Sequence, residues 1–124
     1  MSAARGARTL TTHVLDTARG VPAGGVRVDL SAVEPDGRLR LIRTVTTNAD
    51  GRTEAPLLAE GEMKVGRYEL TFHVGAHFRA ASVALADPPF LDQVPVRFAI
   101  ADPDAHYHVP LLVSPWSYAT YRGS

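Results

Sequence analysis

Strict period-two alternation over short runs is the pattern that most narrows what this chain can become. Val26, Val28, Leu30 and Ala32 alternate with Arg27, Asp29 and Ser31, as a strand does when one face is buried and the other wet. Tyr68, Leu70, Phe72 and Val74 alternate with Arg67, Glu69, Thr71 and His73, and Val94, Val96, Phe98 and Ile100 alternate with Pro95, Arg97 and Ala99. Pro95 has no amide hydrogen to give to a ladder, so its strand is expected at a sheet edge or bulged there. Turn-forming clusters separate the runs: RGVPAGG, PDGR at 35–38, NADGR at 48–52, AEGE at 59–62 and DPD at 102–104. The segment 76–85 instead has Phe78, Ala81 and Leu85 at helical spacing and is rich in alanine until ADPP stops it. Seven to eight short strands with one short helix predict an all-β fold, a Greek-key β-sandwich.

A chain of 124 residues can bury about two-thirds of its unfolded surface around one core. No repeat, linker or low-complexity tract divides it, so one domain is expected over 9–124, behind a disordered lead-in at 1–8. Thirteen Lys plus Arg balance thirteen Asp plus Glu, and without a block of like charge neither nucleic acid nor membrane is an expected partner. The lack of cysteine removes disulfides and thiolate metal ligands. No apolar run is long enough to span a bilayer, and MSAARGARTL lacks the apolar centre of a secretory signal. A cytoplasmic location is the default expectation.

Alternation also sorts the histidines. In TLTTHVL, Leu10, Thr12 and Val14 share one face, so His13 lies on the other with Thr9, Thr11 and Leu15. In HYHVPLLV, Tyr107, Val109, Leu111 and Val113 share a face, which leaves His106, His108, Pro110 and Leu112 opposite. With the more apolar faces turned to the core, His13 and His108 point outward among leucines that a wholly solvated face would not need. Such a patch suits contact with another copy of the chain across a two-fold axis, gathering histidines from several chains in one cleft. Each histidine alone also reads as a surface residue or a hydrogen-bonded spacer, the reading kept for His73 and His77. Arg52, after Asp-Gly, reads alone as hairpin chemistry, and Trp116 with Tyr118 as packing. No metal site is expected, because HYH offers two imidazoles on one face with no third ligand nearby. A nucleophile elbow, a phosphate-cradling glycine loop and a dinucleotide fingerprint are missing, so no cofactor is expected and any chemistry falls to His, Arg, Tyr and Ser.

The stretches LTTHVLDTARGVPA, TNADGR and HYHVPLLVSPWSYATYRGS together resemble the 5-hydroxyisourate hydrolases, the transthyretin-related enzymes of urate breakdown. The resemblance implies a transthyretin-like sandwich assembled as a homotetramer, a dimer of dimers with its sites at the dimer-dimer interface. It implies 5-hydroxyisourate as the small-molecule substrate, opened at a cyclic acyl C–N bond. On the matching motifs the family's catalytic residues fall on His13, Arg52, His108 and Ser124, and its substrate-binding residues on Tyr121, Arg122 and Gly123. In that setting His108 would activate water with His13 assisting or holding the substrate, since a neutral imidazole is available near neutral pH. Arg52 would grip substrate carbonyls and stabilise developing negative charge. The aromatic-rich end is expected to pack into the site wall, with Ser124 contributing a hydroxyl and a carboxylate. The stretch 83–100 departs from the family's longer aromatic-rich segment after the helix and carries none of these residues. A carrier that binds a small molecule in the same channel without chemistry is the alternative, and it would not need His13, Arg52, His108 and the YRGS end together.

Overall fold

The computed structural model describes residues 8–124, so the lead-in expected at 1–8 lies outside the described residues except for Arg8. The elements run β1 (Leu10–Thr11), β2 (Val14–Asp16), β3 (Val21–Pro22), β4 (Arg27–Val33), β5 (Leu39–Thr46), β6 (Gly66–His73), α1 (Val74–Ala80), β7 (Gln93–Ile100), β8 (Tyr107–His108), β9 (Leu111–Val113) and β10 (Tyr118–Thr120). Two-residue steps separate β1 from β2 and β8 from β9, so each pair is one broken strand and the described residues follow eight strand courses.

One layer is the antiparallel sheet β5-β4-β6-β7. Its inner face is set by register: Leu30 lies opposite Leu70, which lies opposite Val96, and Val28 opposite Phe72, which lies opposite Val94. These rows place branched and aromatic side chains side by side, the arrangement that stabilises a sheet. The strand carrying Pro95 is an edge, as its missing amide hydrogen requires. At the opposite edge β5 follows a turn in which Glu34 and Arg38 close the hairpin, the Glu34 amide donating to the Arg38 carbonyl at 2.8 Å.

The second layer is β10-β9-β2-β3, continued by the parallel pair β1-β8. Leu10, Val14, Leu111 and Val113 are fully buried between the layers with Leu30, Leu70 and Phe72. The inward and outward assignment of both broken strands is therefore as the alternation predicts, with two exceptions, Thr9, which is buried beside His106, and Pro110. Pro110 is buried, because β10 folds back over it and the Thr120 hydroxyl donates to its carbonyl at 2.7 Å.

The helix differs from the expected 76–85. It starts directly from β6 at Val74 and ends at Ala80, burying Val74, His77 and Phe78. Ser82 takes a left-handed conformation (φ 60), and the Val83 amide closes on the Phe78 carbonyl at 3.0 Å. That is how a helix commonly stops, and Leu85 packs beyond it from a loop. His77 and His73 both serve structure: His73 meets Asp29 at 2.8 Å and His77 meets Asp16 at 3.2 Å.

Asp16 has no solvent exposure, and its carboxylate accepts from the Arg19 amide at 3.0 Å and the Arg19 Nε at 2.9 Å. Burial pushes this carboxyl up, but the bonds from Arg19 and His77 outweigh burial and hold it below its ordinary value. The resulting stabilisation is present at neutral pH and is lost as pH falls through the lowered value. Asp16→Ala removes the partner of the buried His77 and of the half-exposed Arg19, and is expected to cost about 3 kcal/mol in a urea titration at pH 7, with the difference shrinking in acid.

Candidate active site

The site grows from the parallel contact of β1 with β8, in which Leu10 pairs with Tyr107 and Thr11 with His108. The step after it is held by polar bonds: the Thr12 hydroxyl donates to the Val109 carbonyl at 2.7 Å, and the Leu111 amide to the His13 carbonyl at 2.9 Å. His13, in the step before β2, and His108, at the end of β8, are thereby set on the outer side of the same layer, both partly exposed.

Arg52 arrives on the NADGR loop. The Asn48 side-chain oxygen accepts the amides of Asp50 at 2.9 Å and Arg52 at 3.2 Å, a fold-back that asparagine favours. Gly51 has φ +74, and a Cβ there would collide with the Val14 carbonyl oxygen. The Gly51 carbonyl in turn accepts the Val14 amide at 2.8 Å, which staples the loop to β2. His13 Nε2 lies 2.9 Å from the Asp50 carbonyl. A carbonyl only accepts, so Nε2 carries a proton and the neutral ring keeps Nδ1 as its acceptor.

A cavity of about 360 Å³ opens between these elements, walled by Thr11, Thr12, residues 52–56, His106, His108 and Ser124. Of the residues singled out in the sequence, Arg52, His108 and Ser124 line it directly. His13 stands beside it, near enough for its charge to act on His108. Gly123 backs the His108 ring: a Cβ there would lie 2.6 Å from His108 Cδ2, and its amide donates to the His108 carbonyl at 2.8 Å. The ring is thus confined on one edge by Gly123 and on the other by Thr11, whose hydroxyl lies 2.8 Å from Nδ1. Burial is the main influence lowering the His108 pKa, followed by the charges of Arg52, His106 and His13. All of them favour the neutral ring.

Tyr121 and Arg122 turn the other way in the single chain. They line a second cavity of about 370 Å³ with Val96, Phe98 and Tyr107. The Arg122 guanidinium sits 4.1 Å over the Tyr107 ring and donates to the His106 carbonyl at 3.2 Å, so it anchors the C-terminal segment against β8. Thr11, Glu54 and His106 belong to the first cavity and were not singled out. Alternation had put Thr11 and His106 on the right faces; the missing signal was the register that sets their strands side by side. Among the described residues no cluster of three or more His, Asp or Glu side chains is placed to hold a metal ion, and no helix is long and apolar enough to cross a membrane.

The profile of the HIUase/Transthyretin family matches residues 10–123. The chain is 60% identical over 115 residues to 5-hydroxyisourate hydrolase 2 of Rhizobium meliloti (strain 1021), covering 93% of this chain and 95% of that one. Its fold is similar to the structure of Klebsiella pneumoniae 5-hydroxyisourate hydrolase, with a TM-score of 0.76 and 37% identity over 94% of this chain and 99% of that one. Sea bream transthyretin in complex with thyroxine is also similar, with a TM-score of 0.81 and 32% identity over 93% of this chain and 94% of that one. The two-layer architecture is a transthyretin-like β-sandwich.

The staple at Gly51 can be tested against an open turn. Gly51→Ala is expected to lower stability by about 3 kcal/mol, through left-handed strain plus the collision with Val14. Gly37→Ala, also at positive φ but with open space around it, is expected to cost about 1 kcal/mol. Denaturant midpoints of the two variants supply the comparison.

Proposed function

The chain belongs to the HIUase/Transthyretin family, and on that premise we propose that it hydrolyses 5-hydroxyisourate in the cavity walled by Arg52, His108 and Ser124. The observation that carries this reading is an imidazole confined on two edges, kept neutral by burial and by Arg52, and facing a cavity of small-molecule size. His108 Nε2 takes a proton from water as the water oxygen attacks the ring carbonyl carbon. The carbonyl oxygen becomes an oxyanion beside the Arg52 guanidinium, whose fixed charge is worth most where water is scarce. The C–N bond then breaks, and the imidazolium returns its proton to the leaving nitrogen. One water has been added across one bond, and His108 is neutral again. His13, its Nε2–H committed to the Asp50 carbonyl, offers Nδ1 to a substrate N–H or hydroxyl. Ser124 adds a hydroxyl to the wall, and Gly123 lets the backbone lie against His108. Arg122 holds the segment that carries both.

The assembled form is a dimer of dimers. β7 and β10 are edge strands, and residues of β7 and of the segment after β10 line one cavity. The two edges therefore suit pairing with the same edges of a second copy. The half-buried Leu15 and Leu112, on the face that bears the histidines, suit the second contact between dimers. The similarity to a thyroxine-bound transthyretin supports a second reading, a carrier without chemistry. A wall of threonine, histidine, arginine and glutamate suits a flat, carbonyl-rich molecule better than an apolar hormone.

The deciding measurement is the ultraviolet decay of 5-hydroxyisourate, generated in place from urate by urate oxidase. The wild-type chain is expected to accelerate it, and His108→Asn to lower kcat by about 1,000-fold in an assembly of unchanged mass by light scattering. Decay at the spontaneous rate with the wild-type assembly would favour the carrier. A second expectation concerns pH. His108 works as the neutral base, so kcat/KM rises as pH passes upward through its lowered pKa. Arg52→Gln removes one of the charges that lower it, and should move that limb to higher pH.

A further inference from the structure

The Thr11 hydroxyl stands between two imidazoles. It lies 2.8 Å from His108 Nδ1 and 3.4 Å from His106 Nε2, while Thr9 Oγ1 lies 3.0 Å from His106 Nδ1. The two rings are nearly parallel, 11° apart in plane with centroids at 6.5 Å. Four side chains from two adjacent parallel strands thus form one line, Thr9, His106, Thr11 and His108, and among the described residues Nε2 of His108 makes no hydrogen bond.

The chemistry of these groups restricts what the line can do. A hydroxyl has a single proton, so Thr11 can donate to one of the two rings and must accept from the other. With both rings neutral, two arrangements keep every bond made. In one, His108 Nδ1–H donates to Thr11, Thr11 donates to His106 Nε2, and His106 Nδ1–H donates to Thr9. His108 Nε2 is then an unprotonated base. In the other every bond reverses, both rings carry the proton on Nε2, and His108 presents an acid. A third arrangement, with Nδ1–H on His108 and Nε2–H on His106, leaves the Thr11 proton without a partner on either ring.

We propose that Thr11 is the positioning residue of the site, coupling His108 to His106 so that the two rings share one tautomeric state and a proton taken up at His108 displaces charge onto His106. The inference rests on the hydrolase reading given above. When His108 Nε2 accepts a proton from water, the Nδ1 proton passes to Thr11 and the Thr11 proton to His106 Nε2. His108 is left neutral with a proton on Nε2, and His106 is the imidazolium. Reversal restores both rings as the leaving nitrogen is protonated. No proton is gained or lost beyond the one exchanged with water and substrate. The 3.4 Å contact is the longest link and the one that must tighten, as catalytic bonds do on binding substrate. The charge then moves from the ring on which Arg52 and His13 act to the ring on the other side of Thr11. Glu54 on the cavity wall and the Arg122 guanidinium at the His106 carbonyl are further charged groups near the pair.

The test pairs a measurement that needs no turnover with one that does. Imidazole nitrogen-15 NMR of the wild-type assembly above both histidine transitions should show His106 and His108 in matching tautomers. Thr11→Val, nearly the same shape without the hydroxyl, should uncouple them and lower kcat about 10- to 100-fold with KM within about twofold. Thr11→Ser should restore both the matching tautomers and most of kcat. Opposite tautomers in the wild type, or Thr11→Val with unchanged ring shifts and unchanged kcat, would overturn the proposal. Should the wild-type chain fail to hydrolyse 5-hydroxyisourate, the hydrolase reading falls, while the NMR result still judges the coupling.

Discussion

The parallel contact of β1 with β8, continued by β2 with β9, is the constraint on which the rest of this molecule depends. It joins the first strand to one 97 positions later, through Thr11 paired with His108. Parallel neighbours far apart in sequence must be closed at a large entropic cost, and local hydrogen bonds do not repay it. What offsets it is the core beneath, where Leu10, Val14, Leu111 and Val113 lie against the opposite sheet with no exposure. The same contact that closes the sandwich also creates the row of hydroxyls and imidazoles on its outer side. Fold closure and site formation are therefore one event.

Around that contact, backbone rather than side chains does much of the positioning. The NADGR loop is tied to β2 by the Gly51 carbonyl, and the C-terminal segment is tied to β8 by the Gly123 amide. Both glycines stand where a Cβ would strike a neighbour, the Val14 carbonyl for one and the His108 ring for the other. Arg52 and His108 thus sit on segments whose paths are fixed by close approach. Fixed groups can hold charge in place without reorganising during a reaction. The lowered pKa of His108 follows from the same crowding, since burial and the neighbouring Arg52 act together.

Much of the sandwich was legible in the chain because one physical rule, burial of alternate residues, writes itself directly into sequence. Tyr68, Leu70 and Phe72 facing in, and Pro95 at an edge, needed nothing more. The helix boundaries were less legible. Its start is set by β6 delivering Val74 into the core, and its end by Ser82 adopting a left-handed turn, and neither is a property of local composition. β5 is mostly exposed at an edge, so little burial is recorded in its residues. Pro110 was placed outward by alternation, yet β10 covers it, a contact made by a later segment. His13 and His108 could be singled out by alternation and Arg52 through the family resemblance of its stretch, but Thr11 and His106 read as ordinary outward residues. Their roles depend on a neighbour that the linear pattern does not name.

Residue polarity read along the chain is enough to say which faces are mostly buried, where the chain turns, and that histidines and an arginine stand on the wet side of a β-sandwich. These are local quantities, fixed by each residue's own polarity and by the two-residue period of a strand. Which strands lie side by side is chosen in the folded molecule. That choice follows from how two buried faces fit together across the whole core. It sets Thr11 between two imidazoles, brings Arg52 to His108, and turns Tyr121 and Arg122 to the other side of the sheet.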